Sequence, residues 1–201
     1  MKLIVGLGNP EERYENSRHN VGFMAIDHLA KELTRGPEVV FTFDKRIKAL
    51  VCTCNVKNDP LILVKPQTYM NNSGWSVELL RNTHKIDTDD IWVIHDDIDL
   101  PLGKMRIRKG GGTGGHRGVE SIIEHLGTDA FIRFRLGIGR GKLDEKKSTA
   151  HNLHRRMVEA FVLSPFAESE AGAARIMIKH TKEALISALR KGLEQTMNRY
   201  N

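Results

Sequence analysis

Apolar residues along this chain follow two rhythms. Lys2–Leu7, Ile47–Val56, Leu61–Lys65, Ile91–His95, Lys104–Arg108 and Arg133–Ile138 are short runs rich in aliphatic and β-branched side chains, the pattern of strands. Between some of them the spacing lengthens. Phe23–Leu33 carries Phe23, Ile26, Leu29, Ala30 and Leu33 on one helical face, and Ser73–His84 and Val119–Leu126 read similarly. A longer helical pattern, from about Glu168 to Tyr200, sets Ile178, Leu185, Leu189 and Leu193 on one side. Alternating strands and helices predict an α/β fold, a three-layer sandwich whose central sheet is flanked by helices. The runs around residues 47–65, joined through Lys57-Asn58-Asp59-Pro60, read as a hairpin, so the sheet is expected to be mixed. Arg140–Arg156 is polar and basic behind Gly139 and Gly141 and reads as a mobile loop. With no linker or internal repeat, residues 1–201 are read as a single domain.

Composition narrows the classes. Of 201 residues, 40% are hydrophobic and 28% charged, the balance of an ordinary globular protein. No stretch reaches the roughly 18 apolar residues of a membrane span. Met-Lys-Leu-Ile-Val-Gly leads straight into a strand without the apolar core of a signal peptide, so a cytoplasmic protein is expected. Cys52 and Cys54 alternate onto one strand face and are expected packed and reduced, and no second Cys pair completes a structural zinc site. The net charge of +6 is unevenly spread. Lys104, Arg106, Arg108, Lys109 and Arg117 share a segment without an acid, whereas Asp87, Asp89, Asp90, Asp96, Asp97 and Asp99 share one without a base. Such separation predicts a basic binding face beside an acidic loop.

The candidate chemistry lies where strands hand over to loops, the edge at which open α/β sheets bind ligands. After the first strand come Gly6-Leu7-Gly8-Asn9-Pro10 and then Arg18-His19-Asn20. The glycines do not complete a dinucleotide fingerprint, because Glu11 stands at its third position and Pro10 interrupts. His19 is the side chain type suited to moving a proton near neutral pH. Taken alone, it reads more readily as a structural histidine beside a cap that Asn20 makes for the following helix. Pro66-Gln67-Thr68-Tyr69-Met70-Asn71-Asn72-Ser73-Gly74 offers amides and an apolar wall of Tyr69 and Met70, or a cap from Asn72 or Ser73. In His95-Asp96-Asp97-Ile98-Asp99, a carboxylate at a strand end can orient an imidazole. A divalent-metal site on Asp96, Asp97 and Asp99 is the rival there, without EF-hand spacing. Gly110-Gly111-Gly112-Thr113-Gly114-Gly115-His116-Arg117-Gly118 lacks the Gly-Lys-Ser/Thr of a P-loop but suits phosphate or substrate backbone. No nucleophile elbow is present, so the simplest hydrolytic chemistry is a histidine that activates water.

These segments, in this order, closely resemble the bacterial peptidyl-tRNA hydrolase family over nearly the whole chain. The resemblance is carried by Gly6-Leu7-Gly8-Asn9-Pro10, Tyr14, Arg18-His19-Asn20, Pro66 to Gly74, His95-Asp96 to Gly103, Gly110 to Gly118, Arg133 to Gly139 and Phe161-Val162-Leu163. It implies cleavage of the ester joining a peptide to the terminal ribose of tRNA, on a single mixed-sheet α/β domain that is monomeric and needs neither cofactor nor metal. Carried over by position, His19 is the general base, Asp96 orients it, and Asn9 sits beside the reacting carbonyl. Asn71 holds the peptide main chain, and Tyr14, Tyr69, Met70, His116 and Arg117 complete the substrate site. Arg108 and Arg135 match a clamp for the tRNA 5′-phosphate. Two positions depart from the pattern. Arg117, which can only donate hydrogen bonds, stands where the family has Asn, and Glu11 replaces a Gly. Two other readings stand beside this one: a non-catalytic RNA-binding relative of the same fold, and a metal-dependent nuclease using the aspartates.

Overall fold

The computed structural model of the chain describes residues 1–34, 39–57, 59–141 and 151–201. Its strands are β1 (Lys2–Gly6), β2 (Thr42–Asp44), β3 (Ala49–Val56), β4 (Asp59–Pro66), β5 (Ile91–Asp97), β6 (Met105–Lys109) and β7 (Ile132–Gly137). They form one seven-stranded sheet in the order β2-β3-β4-β1-β5-β7-β6. β4, β1, β5 and β7 run parallel, while β2, β3 and β6 join as antiparallel neighbours, so the sheet is mixed as the hairpin pattern implies.

Side-chain alternation along these strands builds two apolar layers. Ile4, Leu63, Ile94 and Phe134 face α1 (Val21–Thr34) and α5 (Glu168–Lys191), meeting Ala25, Ile26, Leu29, Met177 and Leu185. Leu3, Val5, Val64 and Val93 face α2 (Ser73–His84) and α3 (Arg117–Leu126), meeting Val77, Leu80, Val119 and Ile122. Helices thus cover both faces of the sheet. α1 follows β1 onto one face and α2 follows β4 onto the other, and the chain leaves β1 towards β2–β4 but leaves β5 towards β6 and β7. The crevice opens at the carboxyl ends of β1 and β5, the switch point of an open parallel sheet.

Three departures from the sequence pattern have identifiable causes. Residues 142–150 of the expected loop lie outside the described residues, but from His151 the chain is helical, forming α4 (His151–Leu163). Apart from Leu153, its large apolar positions, Met157, Val158, Phe161, Val162 and Leu163, lie in the later turns, and the polar composition around Leu153 conceals the helix. The C-terminal pattern is broken at Gly192, whose φ of 95° ends α5 and starts α6 (Leu193–Tyr200). Finally, Thr42–Asp44 adds an edge strand too short and too exposed to show a period. At the opposite edge the side chain of Asn201 accepts from the Ile107 N–H and donates to its carbonyl, occupying part of the free side of β6. Cys52 is buried and Cys54 half-buried against the same core layer, both with free thiols.

Candidate active site

Close backbone approach sets the site. A Cβ at Gly6 would lie 2.3 Å from the Gly22 carbonyl, and one at Gly22 would lie 2.5 Å from the Ile94 carbonyl. Only glycine at both positions lets the start of α1 rest on the ends of β1 and β5. The turn that precedes α1, Arg18–Asn20, is thereby laid over the end of β5. His19 Nδ1 then comes 2.8 Å from Asp96 Oδ1, and Asp96 is 3% exposed.

The carboxylate has a second imidazole partner. His116 Nε2 lies 2.9 Å from the same Asp96 oxygen, and the His19 and His116 ring centroids are 4.9 Å apart. The His116 tautomer follows from its other nitrogen. Nδ1 accepts the N–H groups of Gly118 and Val119 at 3.1 and 3.3 Å, capping α3, so the ring proton sits on Nε2 and is donated to Asp96. Burial alone would raise the Asp96 carboxyl, but the electrostatic attraction and hydrogen bonds of the His19 and His116 imidazoles outweigh it and hold the group well below the ordinary carboxylate range. With Asp96 ionised, His19 donates through Nδ1 and its Nε2 is the basic nitrogen. Beneath them His95 donates from Nδ1 to the Asp96 carbonyl at 2.7 Å, and its Nε2 is buried without a partner. Burial pushes His95 down to about 3, aided by repulsion from His116.

Asn9 is fixed on three sides. Its backbone N–H donates to Asn20 Oδ1 at 2.8 Å, its carbonyl accepts from Asn20 Nδ2 at 3.0 Å, and its own Oδ1 accepts from the Met70 N–H at 3.0 Å. The side-chain carbonyl is therefore committed, and the Nδ2 donor remains for the cavity. Asn20 is no helix cap. It pairs with the Asn9 backbone as a strand would, because its carboxamide offers a donor and an acceptor side by side. Asn72 and Ser73 do not cap α2 with their side chains either, and Ser73 Oγ instead donates to the Met70 carbonyl.

A cavity of about 640 Å³ gathers Asn9, Tyr14, His19, Tyr69, Met70, Asn71, Asp96, His116 and Arg117, nine of the residues the sequence singled out. Arg117 lies at its rim with Nη2 4.0 Å from Glu159 of α4. The sequence pattern does not reveal that Val158, Glu159, Val162 and Leu163 of α4 form a wall of this cavity, since most of the apolar signal there lies towards the helix end. Arg18 fastens that helix. Its guanidinium is buried and reaches the Ser164 hydroxyl at 2.5 Å, the Pro165 carbonyl at 2.7 Å and Glu170 at 2.5 Å. Arg108 and Arg135 lie outside the cavity, on β6 and β7. The register pairs Arg108 with Arg133 and Arg106 with Arg135, setting four guanidinium groups on one face of two strands. Directly opposed like charges are unfavourable without an anion. Arg133 is buried and donates from its two Nη atoms to the Gly112 and Gly111 carbonyls, Arg135 Nε meets Asp97 at 2.6 Å, and Arg106 and Arg108 are exposed.

Among the described residues, one group has metal-ligating geometry: His19, Asp96 and His116, with atoms within 4.8 Å of one another. The bonds already described speak against that use. A metal on His116 Nε2 would have to displace the ring proton and leave an imidazolate, or break the cap of α3. The aspartate rival is likewise committed, with Asp97 bonded to Arg135 and to the Asp99 N–H, and Asp99 to Arg140 at 2.5 Å.

Comparison with known proteins bears on this geometry. Residues 3–201 match the family described as peptidyl-tRNA hydrolase. The chain is 43% identical over 202 residues to the peptidyl-tRNA hydrolase of Aquifex aeolicus, covering 100% of this chain and 96% of the relative. It is 39% identical over 201 residues to that of Persephonella marina, covering 100% and 97%. The crystal structure of the Acinetobacter baumannii peptidyl-tRNA hydrolase superposes with a TM-score of 0.87 at 30% identity, over 100% of this chain and 94% of that one.

Proposed function

This chain belongs to the peptidyl-tRNA hydrolase family and hydrolyses the ester bond of peptidyl-tRNA, and on that premise we propose that His19 activates the attacking water. The observation that carries this reading is the 2.8 Å bond from His19 Nδ1 to a buried, ionised Asp96, which leaves Nε2 as a base beside the Asn9 amide. Nε2 takes a proton from water as its oxygen attacks the ester carbonyl. Asp96 stabilises the imidazolium that forms, as in other His–Asp pairs. Asn9 Nδ2 donates to the developing oxyanion, a contribution of about 2.7–4 kcal/mol for one such donor. The imidazolium then protonates the departing ribose oxygen, and no covalent intermediate is needed. His116 supports the step by holding the same Asp96 oxygen from its other side, so that the carboxylate cannot rotate away from His19.

The strand order supports an arrangement for the two arms of the substrate. His19 and Asp96 sit over β1 and β5, Tyr69, Met70 and Asn71 follow β4 on one side, and Arg108 and Arg135 lie on β6 and β7 on the other. From β4 to β6 is four inter-strand steps, about 19 Å. The peptide lies over the β4 end, held by Asn71 and bordered by Tyr14, Tyr69 and Met70, and the acceptor end of tRNA runs towards the arginines. Arg117, with donors only, holds a carbonyl or phosphate oxygen at the rim. In this reading the enzyme is a single-domain monomer, and the substrate class points to the cytoplasm. Among the described residues no helix is long and apolar enough to cross a membrane.

The test is release of free tRNA from a peptidyl-tRNA. His19→Ala should abolish turnover while affinity for tRNA is largely kept. Undiminished turnover by that variant would remove His19 from the chemistry.

A further inference from the structure

Tyr69 holds its backbone at φ 60° and ψ 160°, outside the comfortable regions for a residue with a side chain, at a cost on the order of 1–3 kcal/mol. Strain of that kind persists only where neighbours over-determine it, and here they do. The next residue donates its N–H to Asn9, and Asn72 N–H returns to the Tyr69 carbonyl at 3.1 Å. The Tyr69 ring is nevertheless 47% exposed, so packing does not fix it. What holds it is its hydroxyl, which donates to Glu11 Oε1 at 2.5 Å, across 58 positions of sequence. Glu11 is itself braced, because Arg13 Nε meets its other oxygen at 2.6 Å. The Arg13 guanidinium in turn lies 4.7 Å from the centre of the Tyr14 ring. Tyr69 and Tyr14, the two aromatic residues of the cavity lining, are thus joined through one Glu–Arg pair that is not itself part of that lining. The bond also holds the Glu11 carboxyl below its ordinary range and the Tyr69 phenol above its own, each favouring the donor–acceptor roles just described.

We propose that Glu11 is a specificity-determining residue acting through Tyr69: it fixes the tyrosine ring as a rigid wall on the peptide side of the cavity, so that the enzyme favours esters whose terminal residue carries a large apolar side chain. This rests on the reading of the cavity as the peptidyl-tRNA site. The apolar part of the cavity lining, Met70, Ile98, Val158, Val162 and Leu163, supplies the complementary contact. A ring free to swing out would leave that side open to water and forfeit the discrimination, while the His19–Asp96 pair would keep its geometry. Glu11 is therefore a positioning residue, and its effect should appear in substrate selectivity.

The experiment compares N-acetylphenylalanyl-tRNA with N-acetylglycyl-tRNA as substrates of the wild type, Tyr69→Phe, Glu11→Ala, Glu11→Gln and the Tyr69→Phe/Glu11→Ala double variant. Loss of a hydrogen bond to a charged group at a partly exposed site should lower the phenylalanyl-over-glycyl ratio of kcat/KM about three- to tenfold, mainly through KM for the phenylalanyl ester. The same loss is expected in Tyr69→Phe and Glu11→Ala, with no further loss in the double variant, since both changes cut one bond. Glu11→Gln keeps an acceptor and should retain most of the selectivity. A merely structural role would lower both substrates together and leave the ratio untouched. An unchanged ratio, or additive losses in the double variant, overturns the proposal while wild-type turnover upholds the reading of the cavity. A wild type that cleaves neither ester would overturn both.

Discussion

His95 gives the sharpest quantitative test of how the site is built. The imidazole is buried under Asp96 and His116, donates one N–H to a backbone carbonyl, and has no partner for its other nitrogen. Burial lowers it from 6.5 to about 3, so it is neutral in the folded protein throughout the physiological range. In the unfolded chain the same residue takes up a proton near pH 6.5. Between those values the unfolded state binds one more proton than the folded state, and stability falls as pH falls. At 1.36 kcal/mol per pH unit across that interval, the loss reaches about 5 kcal/mol by pH 3, comparable to the whole stability of a small domain. Asp96 acts in the same direction but lower: its depressed carboxyl contributes stability that is present above pH 4 and declines only below it. His95→Phe keeps a ring against His116 but cannot titrate. It should be less stable at neutral pH by about 1–3 kcal/mol, because the Asp96 carbonyl loses its donor. Between pH 6.5 and 4 its stability should nevertheless vary less than that of the wild type, by about 1 kcal/mol for each pH unit. Urea unfolding at a series of pH values, followed by circular dichroism, measures both curves. Parallel curves would mean that His95 is protonated or hydrated in the folded state, and the dry, neutral imidazole beneath the site would be refuted.

Two further outcomes follow from the bonds around the cavity. Asn20→Ala should destabilise the protein by about 2–4 kcal/mol, because it orphans the N–H and carbonyl of Asn9, and should lower kcat more than it raises KM. Unchanged unfolding and turnover would show that Asn9 needs no such support. Replacing Arg108 and Arg135 by Gln should raise KM for peptidyl-tRNA and flatten the slope of log KM against log salt by about 1–2. A slope identical to the wild type would place the phosphate contacts elsewhere.

Much of this molecule is legible in its sequence because the sheet is buried on both faces. β1, β5 and β7 appear as apolar runs within a residue or two of their observed ends, and the polar residues at or beyond those ends, Asn9, His19 and Asp96, stand out for that reason. What escapes is whatever depends on partners distant in sequence. Asn20 carries the same carboxamide whether it caps a helix or pairs with a backbone eleven residues earlier, and only tertiary placement decides between them. His116 is placed in the site by the sequence, yet that it caps α3 with a ring nitrogen has no local signature. The polar first half of α4 looks like a loop until its last turns are seen against the core. Arg133 and Arg108 are indistinguishable in the sequence pattern, but one is 2% exposed and holds a glycine loop while the other is exposed to solvent.

The strand order has a consequence for how such an enzyme can change. The segment after β4 and the β6–β7 pair sit on opposite sides of β1 and β5, at whose carboxyl ends the proposed reacting groups lie and which β7 separates from β6. Altering one end need not disturb the other. On the substrate arrangement proposed above, the two recognition surfaces are free to drift at different rates, one tracking the chemistry of nascent chains and the other that of an RNA backbone that scarcely varies. Such a sheet behaves as a balance with a fixed fulcrum, and either arm can be reweighted by substitutions that leave the pivot alone.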